Sequence, residues 1–228
     1  MSDIPGGPMN TRPVHFFWLL DCSSSMSYNG KMGALNYAVR EAVPHMQDAA
    51  RDNATASLLV RVVTFSTGAE WHTADPVPVH EFGWQDVEPS GGTDLGAALS
   101  LVARELETPP MPERAMRPVL ALVSDGMPTD NWHAGMRALE ATPWGRRAVR
   151  VAVAIGDDAD RSVLKEFLVN PELEPILAKS PKQLAQAIRW ASTLAVKAAS
   201  TPMAGGSGTA ATTKLPPPVL TAQEPDVW

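Results

Sequence analysis

The sequence predicts an α/β domain, an open and mostly parallel sheet with helices on both faces and a short antiparallel edge strand. Three observations carry this expectation. Four apolar segments, His15–Leu20, Leu58–Phe65, Val119–Val123 and Val149–Ile155, are nearly continuous rather than alternating, the pattern of strands covered on both faces. Stretches of helical period lie between them, and strand–helix alternation of this kind builds an open sheet wrapped on both sides. A chain of 228 residues is also long enough to bury one full-sized core.

The elements follow in order. Residues 1–12 read as a disordered arm, and the folded domain is expected over 13–199. In the first helix Met32, Leu35, Val39, Ala42, Val43 and Met46 share one face, and Pro44 is expected to bend that helix or start its exit. Short antiparallel edge pieces are expected at Ala69–Thr73 and Val77–His80, where Pro76 and Pro78 confine the chain to an edge. Further helices are expected at Asp94–Leu106, Trp132–Glu140 and Arg161–Val169, with an edge strand at Ile176–Lys179. The last helix has Ser180 as N-cap and Pro181 in its first position, and Leu184, Ala187, Ile188, Ala191, Leu194 and Ala198 form its apolar stripe. From residue 200 to 228 Gly, Ser, Thr, Ala and Pro dominate, a composition that cannot bury enough surface to order itself. Trp228 ends this tail either without a role or as part of a docking peptide.

The composition excludes several function classes. A net charge of −6 argues against a nucleic-acid partner, and the densest basic cluster, Arg146, Arg147 and Arg150, reads as a solvated strand entry. Cys22 is the only cysteine, so an intrachain disulfide cannot form. It reads as buried and inert, since no basic neighbour in sequence would activate its thiol. No apolar run reaches the length needed to cross a bilayer, and the apolar run Phe16–Leu20 is too short for a secretory leader. Cytoplasmic location is the expectation.

In an open α/β sheet, ligands bind beyond the carboxyl ends of the strands. Asp21, Ser23 and Ser25 follow the first strand, Asp125 follows the third major strand, and Thr93 and Asp94 follow a glycine turn before the second helix. Alternate side chains on a segment leaving a strand point the same way, so Asp21, Ser23 and Ser25 can converge. The set offers oxygen donors only, which suits Mg²⁺, Mn²⁺ or Ca²⁺ and disfavours zinc. Local capping is the competing role for each residue. Thr93 could N-cap the second helix, Asp94 reads as a first-turn residue and Asp130 as the N-cap of the third helix. The five histidines show no metal or catalytic spacing, and Asp157, Asp158 and Asp160 read as a strand-to-helix turn.

Together Asp21-x-Ser23-x-Ser25, Thr93 in "GGTD" and Asp125 in "LVSDGMPTD" resemble the metal-ion-dependent adhesion site, MIDAS, of von Willebrand factor A (VWA) domains, over about residues 13–199. "GKMGALNYAVREAVPHM", "GGTDLGAALSLVA" and "SDGMPTD" are most similar to bacterial tellurite-resistance proteins of the TerY type. The resemblance implies a Rossmann-like VWA fold. It also implies Ser23 and Ser25 as direct ligands, Thr93 as a switchable one, and Asp21 and Asp125 as ligands directly or through water. The implied function is binding of a partner's Asp or Glu, without catalysis, in a bacterial stress-response or defence system with a serine/threonine kinase and a PP2C-like phosphatase. Ser24 stands where the family usually has glycine, and a left-handed backbone there would cost roughly 1 kcal/mol. Enzyme signatures are weak: the flanking glycines of a hydrolase elbow are missing, Ser23 stands where an aspartate-based phosphatase would want its second carboxylate, and no phosphate-binding G-x-x-x-x-G-K-[ST] occurs. A metal-dependent phosphohydrolase using Asp21 or Asp125, or a scaffold with an empty site, are the alternatives.

Overall fold

A computed structural model describes residues 11–53 and 56–200, apart from the side chains of 194–196 and 198–200. The expected arm and tail, with Trp228, fall almost wholly outside these residues, as do the Leu194 and Ala198 side chains. The strands are β1 (Arg12–Asp21), β2 (Ala56–Ser66), β3 (Gly68–Trp71), β4 (Val77–Pro78), β5 (Val119–Ser124), β6 (Val149–Ile155) and β7 (Ile176–Ala178). The helices are α1 (Lys31–Arg51), α2 (Leu95–Glu105), α3 (Trp132–Ala141), α4 (Arg161–Leu168) and α5 (Pro181–Ser200). Short 3₁₀ segments cover Ser24–Gly30 and Gly145–Arg147.

One sheet runs in the order β3-β2-β1-β5-β6-β7, with β4 also paired to β2. All pairings are parallel except those of β3 and β4 with β2, which are antiparallel. The fold class read from sequence is therefore the one observed. Strand β1 occupies the middle because its residues are apolar on both faces. Val14, Phe16, Trp18 and Leu20 join a core closed by α1 and α5, whereas Phe17 and Leu19 join a second core closed by α2, α3 and α4. The chain leaves β1 toward β2 on one side and later returns to β5 on the other, so the strand order reverses between β1 and β5. Such a reversal opens a crevice at the carboxyl ends of the two strands. Their register sets Leu20 beside Val123, so Asp21 and Ser124 finish level at that edge.

Several boundaries differ from expectation. Strand β1 starts three residues before His15, and the Arg12 guanidinium donates to the carbonyls of Arg114 and Ala115. Pro44 does not end its helix, which continues to Arg51. The proline is exposed, as is Arg40, whose carbonyl it deprives of an N–H partner, while Val43, Met46 and Ala49 stay buried. Burial of that stripe outweighs the missing bond. Helix α4 stops at Leu168, and Val169 takes a left-handed conformation (φ 62°) as its C-cap. Arg150 is not at a solvated strand entry. It is buried and donates to the carbonyls of Phe167 and Gly145, whereas Arg146 and Arg147 are exposed.

Candidate metal centre

Asp21 is the last residue of β1 and fully buried. One carboxylate oxygen accepts from the Ser23 backbone N–H at 2.8 Å, the other from the Ser124 hydroxyl at 2.5 Å. Burial raises its pKa, as does the Asp125 charge, against the lowering effect of the Ser124 and Ser23 hydrogen bonds. Ser23 and Ser25 stand with their hydroxyls 2.8 Å apart, and Ser25 donates to Asp125 Oδ1 at 2.6 Å. The convergence expected of Asp21, Ser23 and Ser25 is thus present, and Asp125 meets it from the end of β5.

Thr93 reaches the same place from the third loop. A Cβ built on Gly126 would lie 3.6 Å from Ser25 Oγ and 3.7 Å from Thr93 Oγ1, so both hydroxyls face the hollow that this glycine leaves open. The loop is fixed by backbone bonds, from Ser24 N–H to the Gly91 carbonyl and from Ser90 N–H to the Cys22 carbonyl. Gly91 is required here, since it has φ 65° and a Cβ on it would come within 2.4 Å of Thr67 Oγ1.

The capping roles differ from those expected. Thr93 does not cap α2; its N–H donates to Thr129 Oγ1, and its carbonyl accepts from Thr129 N–H. Asp94 holds the N-cap position rather than the first turn, but its carboxylate accepts from Gly68 N–H and the Thr129 hydroxyl. The first turn of α2 is capped from across the edge by Asp130, whose two oxygens accept from Gly96 and Ala97 N–H at 3.0 and 2.9 Å. Asn131, not Asp130, caps α3. Ser24 is relieved of the strain considered for it. Asn29 and Val169 are the only non-glycine residues with positive φ among those described, and the Ser24 side chain points to solvent.

Cys22 is buried, and its thiol is pushed up to about 12 by burial, with Asp21 and Glu70 adding to the effect. Asp160 caps α4, and Asp157 pairs with Lys179, so that segment is a strand-to-helix turn as expected. Two contributors were not singled out in the sequence. Ser124 anchors Asp21, and its signal was its place inside "SDG". Lys31 opens α1 and donates from its buried ammonium to Asp125 Oδ2 at 2.9 Å and to Asp158 at 3.2 and 3.3 Å. Its signal was a cation at the first position of a helix, where the dipole disfavours one.

The donor set fits a hard divalent cation. Among the described residues no group of three or more His, Cys, Asp or Glu could hold a metal, so a cation at this edge must rely on hydroxyls. Ser23, Ser25 and Thr93 supply them, with a carboxylate on either side. No helix among the described residues is long and apolar enough to cross a membrane.

No protein-family model matches the sequence, and no curated protein matches it significantly. Solved structures do. A von Willebrand factor type A protein from Catenulispora acidiphila is 19% identical, with a TM-score of 0.61 over 81% of this chain and 43% of its own. The pilus adhesin SpaC of Lactobacillus rhamnosus GG, in an open conformation, is 15% identical, with a TM-score of 0.66 over 83% of this chain and 31% of its own. Proximal thread matrix protein 1 of the mussel byssus, with its MIDAS motif occupied by zinc, is 16% identical, with a TM-score of 0.60 over 81% and 48%. The chain spans less than half the length of each. At these identities the likeness is one of fold, and by strand order, helix placement and structural match this chain has the von Willebrand factor A fold.

Proposed function

We propose that the protein is a divalent-metal-dependent protein-binding module in which Ser23, Ser25, Thr93, Asp21 and Asp125 hold the cation. The observation that carries this reading is the delivery of these five oxygen-bearing side chains, from three distant loops, to the edge where the strand order reverses. Their oxygens favour Mg²⁺, Mn²⁺ or Ca²⁺, and the zinc-occupied MIDAS of the mussel protein makes zinc a competitor to include in titrations. A cation so held offers an open position to a carboxylate, which points to a partner presenting Asp or Glu. Tyr28 and Met127 are both 67% exposed and belong to the segments that carry Ser25 and Asp125, so apolar surface is available beside the site.

Binding is favoured over phosphohydrolysis by the state of the two carboxylates. Asp21 is fully buried with both oxygens engaged, and Asp125 is held by Ser25 and Lys31. Both side chains are shielded from solvent. The lone pairs left over by these hydrogen bonds are the ones a bound cation would take, so neither is placed to take a proton from water. The TerY-type motifs support a finer reading: a cytoplasmic bacterial stress-response role, tellurite resistance among the candidates, with a serine/threonine kinase and a PP2C-like phosphatase as partners.

The test is calorimetric titration of Mg²⁺ and Mn²⁺ into wild type and Thr93→Val, together with a phosphatase assay in Mn²⁺. Heat of binding in wild type, at least about tenfold weaker binding in the variant and no turnover are expected. Flat traces in wild type would favour the empty scaffold. Turnover lost in Asp21→Ala would establish the hydrolase.

A further inference from the structure

The buried ammonium of Lys31 has no part in the ligand set just described. It sits at the positive end of α1, where the helix dipole opposes it, and it is only 3% exposed. Its ammonium is held by the Asp125 carboxylate at 2.9 Å and by Asp158 at 3.2 and 3.3 Å. The backbone is shaped around this contact. Gly156, just after β6, has φ 86°, and a Cβ there would lie 2.6 Å from Asp158 Oδ1 and 3.3 Å from Lys31 Nζ. A cation has therefore been brought, at some cost, against the carboxylate that also accepts from Ser25.

Its consequence is a matter of charge. Asp21 and Asp125 alone would be balanced by a divalent cation, leaving the loaded centre neutral. Lys31 adds one positive charge inside the same low-dielectric edge, where charges a few ångströms apart interact strongly. Asp158 offsets little of it, because its side chain is 76% exposed and screened by solvent. We propose that Lys31 is a specificity-determining residue that weakens cation binding and, in return, leaves the loaded centre net positive and selective for an anionic ligand.

The inference rests on the metal-binding reading, and one set of titrations separates the two. Full-length wild type, Lys31→Met and Asp158→Asn are titrated with Mn²⁺ by calorimetry. Each Mn²⁺-saturated protein is then titrated with sodium acetate, and displacement of bound water is read from solvent proton relaxation. Lys31→Met is expected to bind Mn²⁺ roughly tenfold more tightly and acetate several-fold more weakly. Asp158→Asn, on an exposed side chain that leaves the core untouched, is expected to shift both affinities the opposite way by roughly two- to threefold. A purely structural lysine would move neither acetate affinity nor the two variants in opposite directions. Equal Mn²⁺ and acetate affinities in all three proteins overturn the role of Lys31 alone. Absence of Mn²⁺ binding from all three overturns the metal centre and this role with it. Should Lys31→Met fail to melt cooperatively, the direction of the Asp158→Asn shifts decides.

Discussion

At the scale of single residues, the site has a cost. Asp21 is buried beside a second carboxylate, and burial above all raises its pKa, so the folded state holds its proton more tightly than the unfolded chain does. That preference stabilises the fold below the ordinary aspartate pKa and is lost as pH rises through the folded value. At neutral pH the ionised group is a burden. Asp21→Asn keeps both hydrogen bonds, since the amide oxygen still accepts from Ser23 N–H and the amide nitrogen can donate to Ser124. In EDTA at pH 7 its Tm should lie above wild type, by roughly 2–4 °C for each kcal/mol relieved, while Mn²⁺ binding is lost; scanning calorimetry reads both, and a lower Tm would count against the buried-charge account. That Asp21, Ser23, Ser25, Thr93 and Asp125 meet at one edge was legible in the sequence, because each carries an oxygen and follows a strand end or a glycine turn. Lys31 and Asp158 were not, because their pairing joins residues 127 positions apart and is fixed only by where β6 ends.

At the scale of elements, α2 begins under the control of a different loop. Asp130 caps its first turn, Thr129 clamps Thr93 and Asp94, and all of these bonds come from the segment that also carries Asp125. Hydrogen bonds therefore join the helix start to the loop that carries Asp125 as one unit. Asp130→Ala removes the bonds to Gly96 and Ala97 and should cost about 1–2 kcal/mol by urea unfolding, with faster amide exchange confined to the first turn of α2 and residues 125–130. Uniform loss of protection instead would show the cap to be unrelated to this unit. Sequence placed the helix correctly through its apolar period but assigned the wrong caps. Local reading credits a cap to the nearest acidic residue, whereas Asp130 serves a helix that starts 35 residues before it in the chain. The exit expected at Pro44 failed for a related reason, since that effect depends on whether the helix side it occupies is buried.

At the scale of the whole molecule, the two cores meet at β1, and continuous apolar runs revealed the sheet because no other arrangement hides both faces. His15 is the polar residue that opens the apolar run of that strand. It is buried, its Nε2 lacks a hydrogen-bond partner, and burial, aided by Arg61, lowers its pKa to about 4. The folded protein holds it neutral, so its contribution is fully present above the unfolded pKa near 6.5 and is lost as pH falls toward 4, a difference on the order of 3 kcal/mol. His15→Leu should flatten the decline in unfolding free energy between pH 6.5 and 4; an unchanged slope would place the acid sensitivity elsewhere. A different consequence follows from the way the loops around the centre are fastened. The bonds from Ser24 to Gly91 and from Ser90 to Cys22 run main chain to main chain, so they do not draw on the hydroxyls of Ser23, Ser25 or Thr93. Replacing the hydroxyls of Ser23, Ser25 or Thr93 one at a time should therefore leave that main-chain fastening in place. Heredity can retune or silence the proposed centre while the architecture persists, and the letters D-x-S-x-S, rather than the shape, record whether its donors are present.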